Sequence, residues 1–218
     1  MAEQLAVNGG TPVRTTPFPG RQPYSERDEE LVLEAIRSQN LFGKNGNFVP
    51  QLEEKFAQFM GSGYAQTCTS GTAAVHLALG AVNPDPGDEI ITAPITDPGS
   101  VMPILQQNAV PIFADVDPIT LNMTAESIEA CITDRTRAII LVHLFGRPCD
   151  VDKVAEIAKR RGVTLIEDCA QAHATKYKGQ YLGTFGDMGC FSFQQSKHMT
   201  TGDGGITITD DEATYWRL

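Results

Sequence analysis

Paired cysteines are missing from this chain. Its five cysteines, at 68, 131, 149, 169 and 190, are scattered, odd in number and never spaced as C-x-x-C. That argues against a disulfide framework and a zinc site. No His/Asp/Glu spacing suggests a metal either. Positive charge is also scarce: 17 Lys and Arg stand against 27 Asp and Glu, a net charge of −10. Nucleic acid and anionic membranes are therefore poor candidates for a main partner. Long apolar runs are absent. The longest, Ala138–Val142 with Leu144 and Phe145 beyond His143, is too short to span a bilayer. The opening Met1–Leu5 has neither a charged head nor a long apolar core, so no signal peptide is expected and the cytoplasm is the default compartment. Neither an internal repeat nor a low-complexity tract is evident.

What is present fits a soluble globular protein. The 218 residues are 41% hydrophobic and 20% charged, enough for one domain with a sizeable core. Residues 1–24 are rich in Gly and Pro and are expected to form an extended arm; residues 25–218 are expected to form one domain. From Ser25 the pattern is helical, with acids in the first turn. A loop at Leu41–Asn47 carries Lys44, expected to be a solvated loop lysine, and a second amphipathic helix is expected near Val49–Met60.

From Tyr64 strand and helix patterns alternate. Strands are predicted at Tyr64–Cys68, Glu89–Ala93, Val110–Ala114, Ala138–Leu144, Val163–Ile166, Gly189–Phe193 and Gly205–Thr209. Helices are predicted near Thr72–Gly80, Gly99–Gln107, Thr124–Cys131 and Asp150–Arg160. Apolar strands separated by amphipathic helices make βαβ units. The fold class expected is α/β, a mostly parallel mixed sheet sandwiched by helices.

Three stretches carry chemistry. In Cys190–Gly205, CFSFQQSKHMTTGDGG, a single lysine, Lys197, sits between two apolar strands, an odd place for a strongly hydrated cation. An enclosed amine that loses its proton can attack a carbonyl to form a Schiff base. The bland reading is a lysine that snorkels to solvent. In Gly162–His173 a buried strand runs into Glu167-Asp168, placing an acid where open α/β sheets bind ligands. Neighbours on a strand face opposite ways, so only one of that pair can point at a ligand. After Tyr64–Cys68 come Thr69-Ser70-Gly71-Thr72, small and hydroxyl residues at a helix start. They suit either a phosphate or an ordinary N-cap. A phosphate cradle, an acid and a lysine together describe a pyridoxal phosphate site.

The runs TSGTAAVHLAL, EDCAQAH and FSFQQSKHMTTGDGG resemble the DegT–StrS family of pyridoxal-phosphate aminotransferases, which act mainly on keto sugars and cyclitol ketones. The likeness covers nearly the whole chain, from Asn8 onward. It implies the large domain of a fold type I (aspartate-aminotransferase-like) enzyme, with a smaller C-terminal domain expected to follow. It implies that Lys197 carries the cofactor as an aldimine, that Asp168 pairs with the pyridine nitrogen, and that Gln171 lies near the phenolic oxygen. Gly71, Thr72 and Ser192 would hold the phosphate, with Ser70 beside them. Glutamate or glutamine would be the donor, a keto sugar or cyclitol ketone the acceptor, and a homodimer with the active site at its interface the assembly. Some relatives eliminate water instead, but they replace the lysine by histidine. A non-catalytic protein retaining the fold is a third reading.

Two positions depart from the family pattern. Where relatives supply an aromatic ring to stack on the pyridine, this chain has Asp97. Its role is either that of an Asp-Pro turn or a contact to acceptor hydroxyls. Ala174 stands where relatives commonly have glycine. Of the histidines, His198 could contact the acceptor, whereas His76, His143 and His173 are expected to be satisfied structural residues. Cys169 and Cys190 flank the proposed site and are expected to be small buried hydrophobes.

Overall fold

The computed structural model describes residues 4–18, 20 and 23–218, with Lys44 described in its backbone alone. Parts of the expected N-terminal arm and of the Met1–Leu5 segment, and the Lys44 side chain, therefore lie outside the described residues. The chain falls into two compact units that divide between Gly46 and Asn47.

In the first unit a 3-10 turn at Ala6–Asn8 precedes helix α1 (Glu26–Arg37). A capping box starts α1: the Ser25 hydroxyl accepts from the Asp28 N–H, and the Asp28 carboxylate accepts from the Ser25 N–H at 2.7 Å.

The second unit contains α2 (Phe48–Met60), β1 (Tyr64–Cys68), α3 (Gly71–Val82), β2 (Glu89–Thr92), α4 (Met102–Gln106) and β3 (Val110–Phe113). There follow α5 (Ala125–Cys131), β4 (Thr136–Val142), α6 (Val151–Arg161), β5 (Thr164–Asp168), β6 (Lys176–Tyr177) and β7 (Gln180–Tyr181). The last elements are β8 (Met188–Ser192), β9 (Gly205–Thr209) and α7 (Glu212–Tyr215).

Seven strands make one sheet in the order β1-β9-β8-β5-β4-β2-β3. Only β9 runs against its neighbours; the other pairings are parallel. The mostly parallel mixed sheet expected from the alternating pattern is what forms. Every residue of β8 and β9 is buried, as are five consecutive residues of β4, so the sheet is covered on both faces. Helix α3 packs with α4 and lies on β8 and β9, while α6 packs with α5 and lies on β5. Fully buried Ile139, Ile140 and Leu141 of β4 each contribute about 1.5–3 kcal/mol of hydrophobic stabilisation.

Two local readings change. The helix expected over Gly99–Gln107 is a 3-10 turn, Pro98–Ser100, followed by the five residues of α4. Pro103 lacks a backbone N–H and sits in the first turn of α4, where that donor is not needed. A hairpin absent from the predicted strands, β6–β7, turns at Lys178 and Gly179 with φ of +50° and +91°. Both signs are those of the tight hairpin turn that glycine favours. Among the described residues no helix is long and apolar enough to cross a membrane.

Candidate active site

Strands β1, β2, β4, β5 and β8 all point their carboxyl ends at one edge of the sheet, and β9 begins there. The loops at that edge enclose a cavity of about 350 Å3. This is where open parallel sheets bind ligands. All seven expected site residues, Ser70, Gly71, Thr72, Asp168, Gln171, Ser192 and Lys197, line this one cavity.

Asp168 ends β5 with its side chain buried. Its two oxygens accept from the Ser100 hydroxyl at 2.7 Å and from the Ala170 N–H at 3.0 Å. Burial raises its pKa above the usual carboxylate value. The two hydrogen bonds, the nearby His143 and the Lys197 charge offset only part of that rise. Glu167 faces the other way, as strand alternation requires. Its carboxylate accepts from the backbone N–H groups of Gly183, Phe185 and Gly186 at 2.7–2.8 Å, and from the His143 ring at 3.0 Å. Because the Cys149 N–H donates to His143 Nδ1 at 3.2 Å, the ring proton sits on Nε2 and points at Glu167. His143, Glu167 and Cys169 bring three potential ligand atoms within 4.8 Å of one another, yet the Glu167 oxygens are already engaged.

Helix α3 opens at the cavity. The Ser70 hydroxyl caps it, accepting from the Ala73 N–H at 3.0 Å, so the N-cap reading of this serine holds and its own proton is left to donate. Earlier N–H groups, those of Gly71 and Thr72, have no partner within the helix. Glycine is required at 71: a Cβ there would stand 2.6 Å from the Ser192 Cβ. Ser192, buried at the end of β8, accepts weakly from the Gln194 N–H at 3.3 Å and keeps its proton free. The result is a small concave cluster of N–H and O–H donors.

Lys197 lies in the loop between β8 and β9. That loop is closed at its base by Phe193 N–H to Gly204 O at 2.8 Å, and tightened by Lys197 N–H to Gln194 O at 2.8 Å. The lysine is half-buried, less shielded than the flanking strands suggested, because the loop rises off the sheet edge. Among the described residues its Nζ has no hydrogen-bond or ion-pair partner. Gln171 Oε1 accepts from the Phe145 N–H at 2.7 Å, which leaves the amide N–H2 as the group able to meet a ligand. Phe145 makes this contact from a left-handed conformation, φ +54° and ψ +24°, a strained one for a bulky residue.

The histidines divide. His76 pairs with Gln107 at 2.9 Å and His143 is fully bonded, as expected of structural residues. His173 is not satisfied: neither ring nitrogen makes a hydrogen bond of normal geometry. Burial first, then the nearby His198 and, least of all, Lys197 lower its pKa from 6.5 to about 4, against an opposing effect of the Ser192 backbone. The exposed His198 stands 5.6 Å from the His173 ring and is not among the residues lining the cavity. Cys169 and Cys190 are fully buried, and burial holds both thiols well above their ordinary pKa, as inert hydrophobes.

Ser100 was not legible from the sequence. Nothing in its turn, Thr96-Asp97-Pro98-Gly99-Ser100, signals a hydrogen bond to a carboxylate 68 residues away. Its one hint is a hydroxyl in the loop after a buried strand.

Fold and cavity together define an α/β domain that gathers a lysine, a buried carboxylate and a cluster of donors at the carboxyl ends of its strands. The chain belongs to the DegT/DnrJ/EryC1/StrS aminotransferase family, whose model matches residues 23–218. It is 44% identical to the GDP-perosamine synthase of Escherichia coli O157:H7 over 92% of this chain and 55% of that protein. It is 39% identical to the L-glutamine:2-deoxy-scyllo-inosose aminotransferase of Streptomyces kanamyceticus, over 100% of this chain and 52% of the relative. Among solved structures, an aminotransferase from Psychrobacter cryohalolentis superposes with a TM-score of 0.87 at 39% identity, over 92% of this chain and 51% of that one. An E. coli GDP-4-keto-6-deoxy-D-mannose-3-dehydratase with bound hydrated PLP gives 0.83 at 32% identity, over 89% and 51%. The chain thus spans about half the length of the relatives it matches.

Proposed function

We propose that this chain is the cofactor-binding part of a pyridoxal-phosphate-dependent aminotransferase. It would move an amino group from glutamine or glutamate to a keto sugar or cyclitol ketone. The observation that carries the reading is the meeting of Lys197 and Asp168, with the Gly71–Thr72 and Ser192 donors, on the wall of one cavity. The residues fit the cofactor's parts. The free N–H groups opening α3, with the Ser70, Thr72 and Ser192 hydroxyls, suit a phosphate dianion. A buried acid suits a protonated ring nitrogen, since a carboxylate hydrogen-bonds a cation about twice as strongly as a neutral group. The Gln171 amide N–H2 suits a phenolate oxygen.

When bound, pyridoxal phosphate supplies an electron-withdrawing ring that accepts the electron pair left by a departing proton. Asp168 would hold a proton on the ring nitrogen, and Ser100 and the Ala170 N–H hold Asp168 in place. Lys197 is the one amine lining the cavity among the described residues; it would anchor the cofactor, and its amine would serve as general base and acid. Residues 25–218 would form the cofactor-binding domain behind an arm of residues 1–24, and a homodimer would complete the site.

The test uses the full natural chain loaded with pyridoxal phosphate. Borohydride reduction followed by peptide mapping should find a pyridoxyl mass on Lys197. L-glutamine or L-glutamate should convert the cofactor's visible absorbance to that of its amine form. Lys197→Ala should lose both. Label on another lysine, or no spectral response to either donor, overturns the proposal.

A further inference from the structure

The loop after β2 brings a carboxylate to the cavity wall where the family likeness calls for an aromatic ring. No Phe, Tyr or Trp lines the cavity among the described residues. Asp97 is held firmly there. Its Oδ1 accepts from the Gly99 N–H at 2.9 Å, capping the 3-10 turn Pro98–Ser100, and Pro98 fixes the next φ. The turn sits tightly against the start of α3: a Cβ on Gly99 would lie 2.7 Å from Thr72 Oγ1. A carboxylate tied by one oxygen presents the other in a fixed direction, and Asp97 Oδ2 has no partner among the described residues.

We propose that Asp97 selects the amino acceptor by accepting a hydrogen bond from one of its hydroxyl groups. This deepens the aminotransferase reading and rests on it. Charge favours a hydroxyl over a carboxylate at this point. Asp97 and Asp203 line the cavity against the single Lys197, so carboxylates outnumber amines on the walls even before a phosphate enters. A carboxylate placed against Asp97 itself meets repulsion, so the donor's acid group must seat elsewhere on the wall; a polyhydroxy ketone offers O–H donors in several directions. Asp97 is exposed, so an analogue that lacks the hydroxyl leaves its free oxygen to water and loses the charge-assisted bond.

Asp97→Asn isolates the free oxygen. The amide oxygen still accepts from Gly99, while the other end becomes an N–H2 donor. The experiment measures two half-reactions of the full natural chain loaded with pyridoxal phosphate: L-glutamine alone, then a cyclitol ketone (scyllo-inosose), a nucleotide-linked 4-keto sugar, or pyruvate as a ketone with a carboxylate and no hydroxyl. The Asn variant should lose about 10- to 100-fold in kcat/KM for the polyhydroxy ketone that the wild type uses. The loss should fall on that half-reaction and not on the glutamine step, and the preference over pyruvate should fall with it. Three results overturn the proposal. One is a variant within twofold of wild type for every polyhydroxy ketone. Another is an equal loss in both half-reactions, which marks a cofactor or folding role. The third is a wild type that runs the glutamine step yet uses no polyhydroxy ketone. A wild type that fails the glutamine step instead sinks the aminotransferase reading itself.

Discussion

Asp168 carries opposite costs in its two roles. A buried carboxylate whose pKa is raised stabilises the fold only while protonated. Its contribution is fully present below the ordinary value of 3.8 and is lost as pH rises through the raised folded value. At neutral pH that contribution is diminished in the cofactor-free protein, because burial disfavours the ionised form that the carboxylate takes in the unfolded chain, and a protonated ring nitrogen would relieve that cost. Asp168→Asn should raise the melting temperature of the cofactor-free protein at pH 7 and leave it nearly unchanged at pH 3.5, while weakening cofactor binding. Melts at the two pH values, with and without pyridoxal phosphate, check both halves. Ala174 shows the same tension between site and backbone. It holds φ +56°, a left-handed conformation that costs an L-residue about 1–2 kcal/mol and glycine nothing comparable. A glycine there would avoid the strain. Ala174→Gly should stabilise this chain by about 0.5–1 kcal/mol once the looser unfolded chain is counted, read as a rise in denaturant midpoint.

Among elements, the carboxyl end of β5 does two jobs through neighbouring residues. Asp168 points into the cavity, and Glu167 on the opposite face ties three things together: β5, the His143 ring at the end of β4, and the turn Gly183–Gly186 ahead of β8. Glu167→Ala would leave three N–H groups and the His143 proton without their acceptor. It should destabilise the fold by about 3–5 kcal/mol, the usual cost of breaking a buried charged network. Urea denaturation followed by circular dichroism measures it; a loss under 1 kcal/mol would show that water replaces the carboxylate. Alternation along the strand made the opposed directions of Glu167 and Asp168 readable in advance. The partners of Glu167 were not, because backbone N–H groups of a turn leave no mark in the sequence. The shortness of α4 was half legible in Pro103, and the β6–β7 hairpin was signalled by Lys178-Gly179 alone, too brief a pattern to stand out.

At the scale of the molecule, the strand and helix periods sufficed for an α/β sheet because burial on both faces imposes short, nearly unbroken apolar runs on parallel strands. Ser70, Gly71, Thr72, Asp168 and Lys197 were likewise nameable from their short runs, small residues at a helix start, an acid after an apolar strand and a lysine in a polar loop, whereas Gln171 and Ser192 were named through the family resemblance alone. Sequence by itself determined which segments become strands and which chemical groups stand at their ends. Only the tertiary structure decided that Ser100 supports Asp168, that Lys197 is half-buried, that the His173 ring makes no hydrogen bond of normal geometry among the described residues, and that Asp97 lines the cavity. The physical reason is range: periodicity and capping act over a few residues, whereas hydrogen bonds across strand ends depend on which distant loops the sheet order brings together.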